Sequence, residues 1–173
     1  EKTLAKINAP DHAVQDQVEA TLELKFGKKE ELGRLGEMTA RYAAIIASKM
    51  PDAPKNCMVI ACADHGVARH GISAYPVETT LHMTENYLVS KGASANAFAN
   101  FCGAEMVVVD VGVAGNLSHV PGLLQRKIAY GTKDFTVGPA MSDDEAVQAI
   151  ETGIAIVNEK AAEGYNCFSL GEM

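Results

Sequence analysis

The first fifty residues carry apolar positions at helical spacing. Val14, Val18 and Leu22 recur every fourth residue behind Asp11, a suitable helix cap, and Phe26-Gly27 closes the run. Leu32, Leu35, Met38, Tyr42, Ile45 and Lys49 then trace a second helix with one apolar face, ended by Pro51 and Pro54. Two amphipathic helices with no strand between them make half a bundle. Each must bury its stripe against another part of the chain or a partner subunit.

From Met58 the pattern becomes strand, helix, strand, helix, strand. Met58–Ala63 is a continuous apolar run that stops at Asp64-His65-Gly66, as a buried parallel strand does on entering a loop at its carboxyl end. In open α/β sheets that edge is where ligands bind. Pro76 is placed as a first-turn proline for a helix marked by Val77, Leu81, Thr84 and Leu88, and a second helix covers 94–102. Residues 106–111, MVVVDV, suit a central strand covered on both faces. A short strand is expected at 127–130. Ser142 with Glu145 forms a capping box for a helix bearing Ala146, Ile150, Ile154, Val157 and Ala161 on one face, ended by Gly164. A last strand is expected at 166–170.

Units of this kind join parallel strands. The predicted fold class is α/β: a parallel, Rossmann-like sheet with a helical amino-terminal appendage. Residues 1–54 form the helical segment, and 55–173 form the first part of the α/β domain. The last strand runs straight into Gly171-Glu172-Met173, which should open an active-site loop. The first residue is Glu1 rather than Met. The expectation is therefore a trimmed amino end and the front half of a larger protein, with the sheet incomplete.

Composition narrows the function classes. A net charge of −7 and no basic cluster larger than Lys28–Lys29 argue against nucleic acid. No apolar run reaches the ~20 residues of a membrane span, so no membrane partner is expected and the cytoplasm is the default location. Cys57, Cys62, Cys102 and Cys167 show no C-x-x-C spacing and read as reduced core residues.

Several residues carry candidate chemistry. Asp64 and His65, with Cys62 and His70 near, allow three readings: a hydrogen-bonded loop shaping a pocket, a catalytic acid or base, or a metal site. Gly112-x-x-Gly115-Asn116 and Gly131-Thr132 follow strands, so their amides could cradle phosphate, but neither has a Rossmann or Walker spacing and ordinary turns account for both. Asn86, beside Tyr87, could face the cleft. Glu172, a carboxylate after Gly171 at the far end of a strand, has little structural reason to be there.

The segments LGRL (32–35), CADHGV (62–67), GISAYP (71–76), VVDVGV (108–113), RKIAYGTKDFTVGPAMS (126–142) and LGEM (170–173) together resemble the nicotinate-nucleotide–dimethylbenzimidazole phosphoribosyltransferase family, which activates the lower base of cobalamin. The resemblance implies a parallel α/β domain, a small helical domain built from both chain ends, and a dimer. It implies transfer of phosphoribose from nicotinate mononucleotide to an aromatic lower base, with nicotinate released and no cofactor or metal. The general base is implied to be a glutamate beyond Met173, so no catalytic residue is expected within this sequence. Substrate-binding candidates are Asp64, His65, Tyr75, Pro76, Met83, Asn86, Gly171 and Glu172.

Two departures bear on specificity. Gly27-Lys28-Lys29-Glu30-Glu31 replaces a proline-glycine-serine run before LGRL. In the base-pocket segment Tyr75 stands where a small residue, often serine, is usual, and Met83 where glutamine is expected. Both pocket changes crowd or depolarise it, and fit another lower base such as a phenolic one. They also fit a non-catalytic partner subunit of a heterodimeric relative with a vestigial site; otherwise a homodimer is expected. A metal-dependent hydrolase using Asp64, His65 and His70 is a third reading.

Overall fold

The computed structural model describes residues 2–173, the side chains of Lys29 and Glu30 excepted. Glu1, which prompted the expectation of a trimmed end, lies outside the described residues. The chain divides into two compact units, Glu1–Ala53 and Pro54–Met173.

The first unit is a pair of helices, α1 (His12–Phe26) and α2 (Lys29–Ile46). Asp11 caps α1 by accepting from the Val14 amide at 3.1 Å, and Gly27 ends it at φ +93°. Backbone at Gly33 is non-helical (φ 51°, ψ −135°) and kinks α2. The buried seam is Val14 and Val18 against Ala40 and Ala43, with Leu22 beside them. This corrects the expected face of the second helix: Leu35, Met38 and Ile45 are exposed. Methyl side chains let two helix backbones approach closely, so the alanine stripe wins the contact that larger residues would hold open.

The second unit is built on a four-stranded sheet. Its strands are β1 (Asn56–Ala63), β2 (Glu105–Gly112), β3 (Leu124–Gln125) and β4 (Cys167–Glu172). They lie in the order β3-β2-β1-β4, and every pairing is parallel. The register of β1 on β2 slips between Cys62 and Ala63, so Val111 has no opposite number. β4 runs two residues further than its apolar pattern suggests: Gly171 pairs with Ile60 and Glu172 with Ala61, so they continue the strand rather than open a loop.

Side-chain alternation sends Ile60, Cys62 and Val108 to one face, packed with Tyr87, Val113 and Leu117. Helices α3 (Thr79–Leu88) and α4 (Ser94–Cys102) lie on the sheet there. The buried Asn96 ties them, donating to the Tyr87 carbonyl at 2.9 Å. The other face gathers Cys57, Val59, Val107 and Val109 with Ile156 of α5 (Asp143–Ala162). The Ser142–Glu145 capping box is present, at 3.2 Å from the Glu145 amide to the serine hydroxyl and 2.7 Å in return. The face of α5 is turned about one residue from the expected one: Ile156 is buried while Ile150 is exposed.

Three further expectations change. Pro76 sits in a turn, with the Thr79 amide on its carbonyl at 3.1 Å, and α3 begins only at Thr79. The short strand falls at 124–125 instead of 127–130, because Lys127 turns inward to a buried carboxylate described below. Cys57 and Cys62 are buried, but Cys102 and Cys167 are exposed, and all four are free thiols.

Candidate functional site at the carboxyl ends of the strands

β1 and β2 deliver two aspartates, Asp64 and Asp110, to the carboxyl edge of the sheet. Asp110 is fully buried. Its Oδ1 accepts from the amides of Gly112 at 3.1 Å and Val113 at 2.9 Å, and its Oδ2 lies 2.8 Å from Lys127 Nζ. Lys127 also donates to the carbonyls of Val113 and, at 3.3 Å, Gly115, and lies over the Tyr130 ring, 4.7 Å from its centre. Asp64 accepts from the Ala114 amide at 2.7 Å. Two carboxylates therefore occupy three successive amides of the glycine loop. Those amides, which could otherwise have cradled phosphate, are already satisfied.

Asp64 also anchors a second loop. Its carbonyl accepts from the Thr132 amide at 2.9 Å, and its own amide donates to the Gly112 carbonyl at 3.0 Å. Beyond it, the Gly66 amide donates to the Thr132 carbonyl at 3.0 Å, and a single parallel bridge joins His65 to Thr132. The Thr132 amide is thus spent on the first loop.

A cleft of about 490 Å³ opens at this edge. Four of the predicted site residues line it together: Asp64, His65, Tyr75 and Pro76. Val67, Ala68, Ile72 and Met173 supply apolar wall. Tyr75 is 72% exposed, so most of its ring is open to an occupant. Met173 is set beside β1 by two backbone bonds, its amide to the Ala61 carbonyl at 2.9 Å and its carbonyl from the Ala63 amide at 2.8 Å. An apolar cleft with a few polar groups at its rim is the form in which small ligands are bound.

The other predicted residues lie elsewhere. Met83 packs against the core around Tyr87 and Leu117. Asn86 accepts from the Gly92 amide at 3.2 Å and lines a separate hollow with Glu85 and His119, themselves paired at 2.9 Å. Gly171 shares the face of Ile60, whereas Glu172, opposite Ala61, points to the α5 side and is not part of the cleft wall. A second, smaller cavity of about 260 Å³ lies on that side between His65, Ile128, Lys133, Met141 and Glu145.

The turn Gly66–His70 forms one wall of the cleft, and its far end is fastened. His70 Nε2 is 2.6 Å from Asp134 Oδ2. The Thr136 hydroxyl at 2.7 Å and the Thr136 amide at 2.9 Å both donate to the other oxygen of Asp134. Those two bonds, with His70 third, hold the Asp134 carboxyl down at about 2. Burial pushes the Cys62 thiol up to about 11, which makes it a core residue and not a nucleophile. Among the described residues no three His, Cys, Asp or Glu side chains converge to hold a metal ion. Asp64 and His70, offered as ligands in the hydrolase reading, are engaged by Ala114 and Asp134.

Sequence reasoning missed Lys127, Asp110 and Asp134, and gave His70 no role outside a metal site. Asp110 carried a signal: a charge inside a β-branched apolar strand calls for a cation, and Lys127 begins the next short apolar run.

A family model described as phosphoribosyltransferase matches residues 7–173. A nicotinate-nucleotide–dimethylbenzimidazole phosphoribosyltransferase of Geotalea uraniireducens is 42% identical over 173 residues, 100% of this chain and 49% of that protein. The enzyme of the same name from Chloroflexus aggregans is 47% identical over 142 residues, covering 82% of this chain and 40% of its own. Among solved structures, CobT from Thermus thermophilus superposes with a TM-score of 0.86 at 37% identity, over 93% of this chain and 48% of that one. The chain thus spans about half the length of the curated relatives it matches.

Proposed function

The chain belongs to the phosphoribosyltransferase family whose model spans residues 7–173, and on that premise we propose that the protein moves phosphoribose from nicotinate mononucleotide to an aromatic lower base. A ring nitrogen or phenolic oxygen of the acceptor bonds to the anomeric carbon as the bond from that carbon to nicotinate breaks. The acceptor's proton goes to a general base, and nicotinate leaves with the electron pair of the broken bond. We take that base to be a glutamate outside the described residues.

What carries the reading is the cleft lined by Asp64, His65, Tyr75 and Pro76 at the carboxyl end of β1. Its apolar walls suit an aromatic ring, with a few polar groups at the rim to orient it. Asp64 keeps the loops in place, and Tyr75 offers a stacking face. Gly171 continues β4 beside Ile60 and leads to Met173 on the cleft wall, whereas Met83, Asn86 and Glu172 lie outside that wall. Tyr75 reduces room and polarity for a benzimidazole, which favours a smaller phenolic acceptor. We further place the protein in the cytoplasm as a homodimer, with residues 1–54 as its small-domain segment and 55–173 as the first part of its α/β domain. No helix described is long and apolar enough to cross a membrane.

The test is an assay of the protein expressed from its complete reading frame, with nicotinate mononucleotide and either 5,6-dimethylbenzimidazole or p-cresol. Nicotinate release with at least one acceptor is expected, and Tyr75→Ser should move preference toward the benzimidazole. No release with any benzimidazole or phenol would sink the proposal.

A further inference from the structure

We infer that His70 and Asp134 are positioning residues for the acceptor ring: together they clasp the Gly66–His70 turn that forms one wall of the cleft. This rests on the proposed reaction for its kinetic consequence, but the clasp itself is a matter of geometry. The turn brings Val67 and Ala68 to the cleft wall, and Ile72 follows it. It is held at both ends by the same loop, 131–140, which contributes no residue of its own to the cleft.

At the near end, backbone meets backbone. The Gly66 amide donates to Thr132 at 3.0 Å. A Cβ at position 66 would come within 2.6 Å of the Lys133 carbonyl carbon and the Asp134 nitrogen, so only glycine permits this approach. At the far end side chain meets side chain, in the 2.6 Å contact of His70 Nε2 with Asp134 Oδ2. Asp134 is fixed for that task, because Thr136 occupies its other oxygen. The loop behind it is closed by the Lys133 amide on the Ala140 carbonyl at 2.8 Å. The charged and titratable groups of the two segments are His65, Arg69 and His70 on one side and Lys133 and Asp134 on the other.

An exposed pair of this kind adds little to global stability. Its effect is local: releasing it lets the Val67–Ala68 wall swing outward and widens the slot. The slot grips the acceptor and not the nucleotide, so the loss falls on KM for the base. His70→Gln keeps a donor able to reach Asp134, whereas His70→Ala does not.

The experiment uses the protein from its complete reading frame, with both variants and both substrates varied in turn. His70→Ala is expected to raise KM for the acceptor at least about fivefold, as the loss of uniform binding to a displaced wall would. KM for nicotinate mononucleotide and kcat at saturation should stay within about twofold, and His70→Gln should recover most of the loss. An unchanged acceptor KM, or a fall in kcat that glutamine does not rescue, overturns the inference. Hydrogen exchange at the amides of 66–72 reads the clasp without any turnover. Faster exchange in His70→Ala, restored in His70→Gln, supports it even if no acceptor reacts and the reaction proposal fails; unchanged exchange overturns it.

Discussion

Asp110 sets a charge inside an apolar strand, wholly out of contact with water, and its neighbours answer that charge. Two amides and the Lys127 ammonium share its two oxygens. Asp110→Asn would leave the Lys127 charge half-sheltered and facing an amide, which by the usual cost of breaking a buried pair should destabilise the protein by about 3–5 kcal/mol. Urea unfolding of the two proteins checks this. Asp134 makes a prediction of opposite character, since its surroundings are solvated. Its carboxyl is depressed from 3.8 to about 2 by Thr136 and His70. The folded protein therefore binds that proton less readily than the unfolded chain does. The contribution is fully present above about pH 4 and fades as the pH falls through about 2. A carbon-13 titration should place this carboxyl well below its ordinary value of 3.8, and His70→Ala should move it upward.

At the scale of elements, the helix pair depends on small residues. Ala43→Leu should force α1 and α2 apart at their buried seam and cost about 1–3 kcal/mol, as overpacking does; thermal unfolding reads the shift. The same pair shows where a one-dimensional pattern misleads. Leu35, Met38 and Ile45 form a cleaner stripe than Ala40 and Ala43, yet they face outward. Features fixed within a few residues were legible: the Asp11 cap, the Ser142–Glu145 box, the helix over 94–102 ended by Gly103, and the apolar runs of β1 and β2. Features fixed by distant partners were not. Lys127 pairs with Asp110 of β2, a partner seventeen positions earlier that the local pattern around 127–130 does not announce. The candidate site divides along the same line. Asp64, His65, Tyr75 and Pro76 lie on one short stretch after β1 and meet in one cleft. Met83 and Asn86 depended on the rotational phase of α3, and Glu172 on the parity of β4 against β1, neither of which spacing along the chain specifies.

For the whole molecule, the family was readable from motifs because three of them meet at one edge of the sheet, where strand ends must be tied to one another. CADHGV carries Asp64 and Gly66, VVDVGV carries Asp110 and Gly112, and the GTKDF run carries Thr132 and Asp134; each is bonded to a neighbour in another motif or its own. The sheet order has a different consequence, one of timing. β1 stands between β2 and β4, and the amide of Lys55 at its foot waits for Asn166, 111 positions later. At about 5–20 residues per second on the ribosome, that interval is roughly five to twenty seconds. For that time β1 has one side unzipped, and its backbone donors and acceptors lie open along the nascent chain.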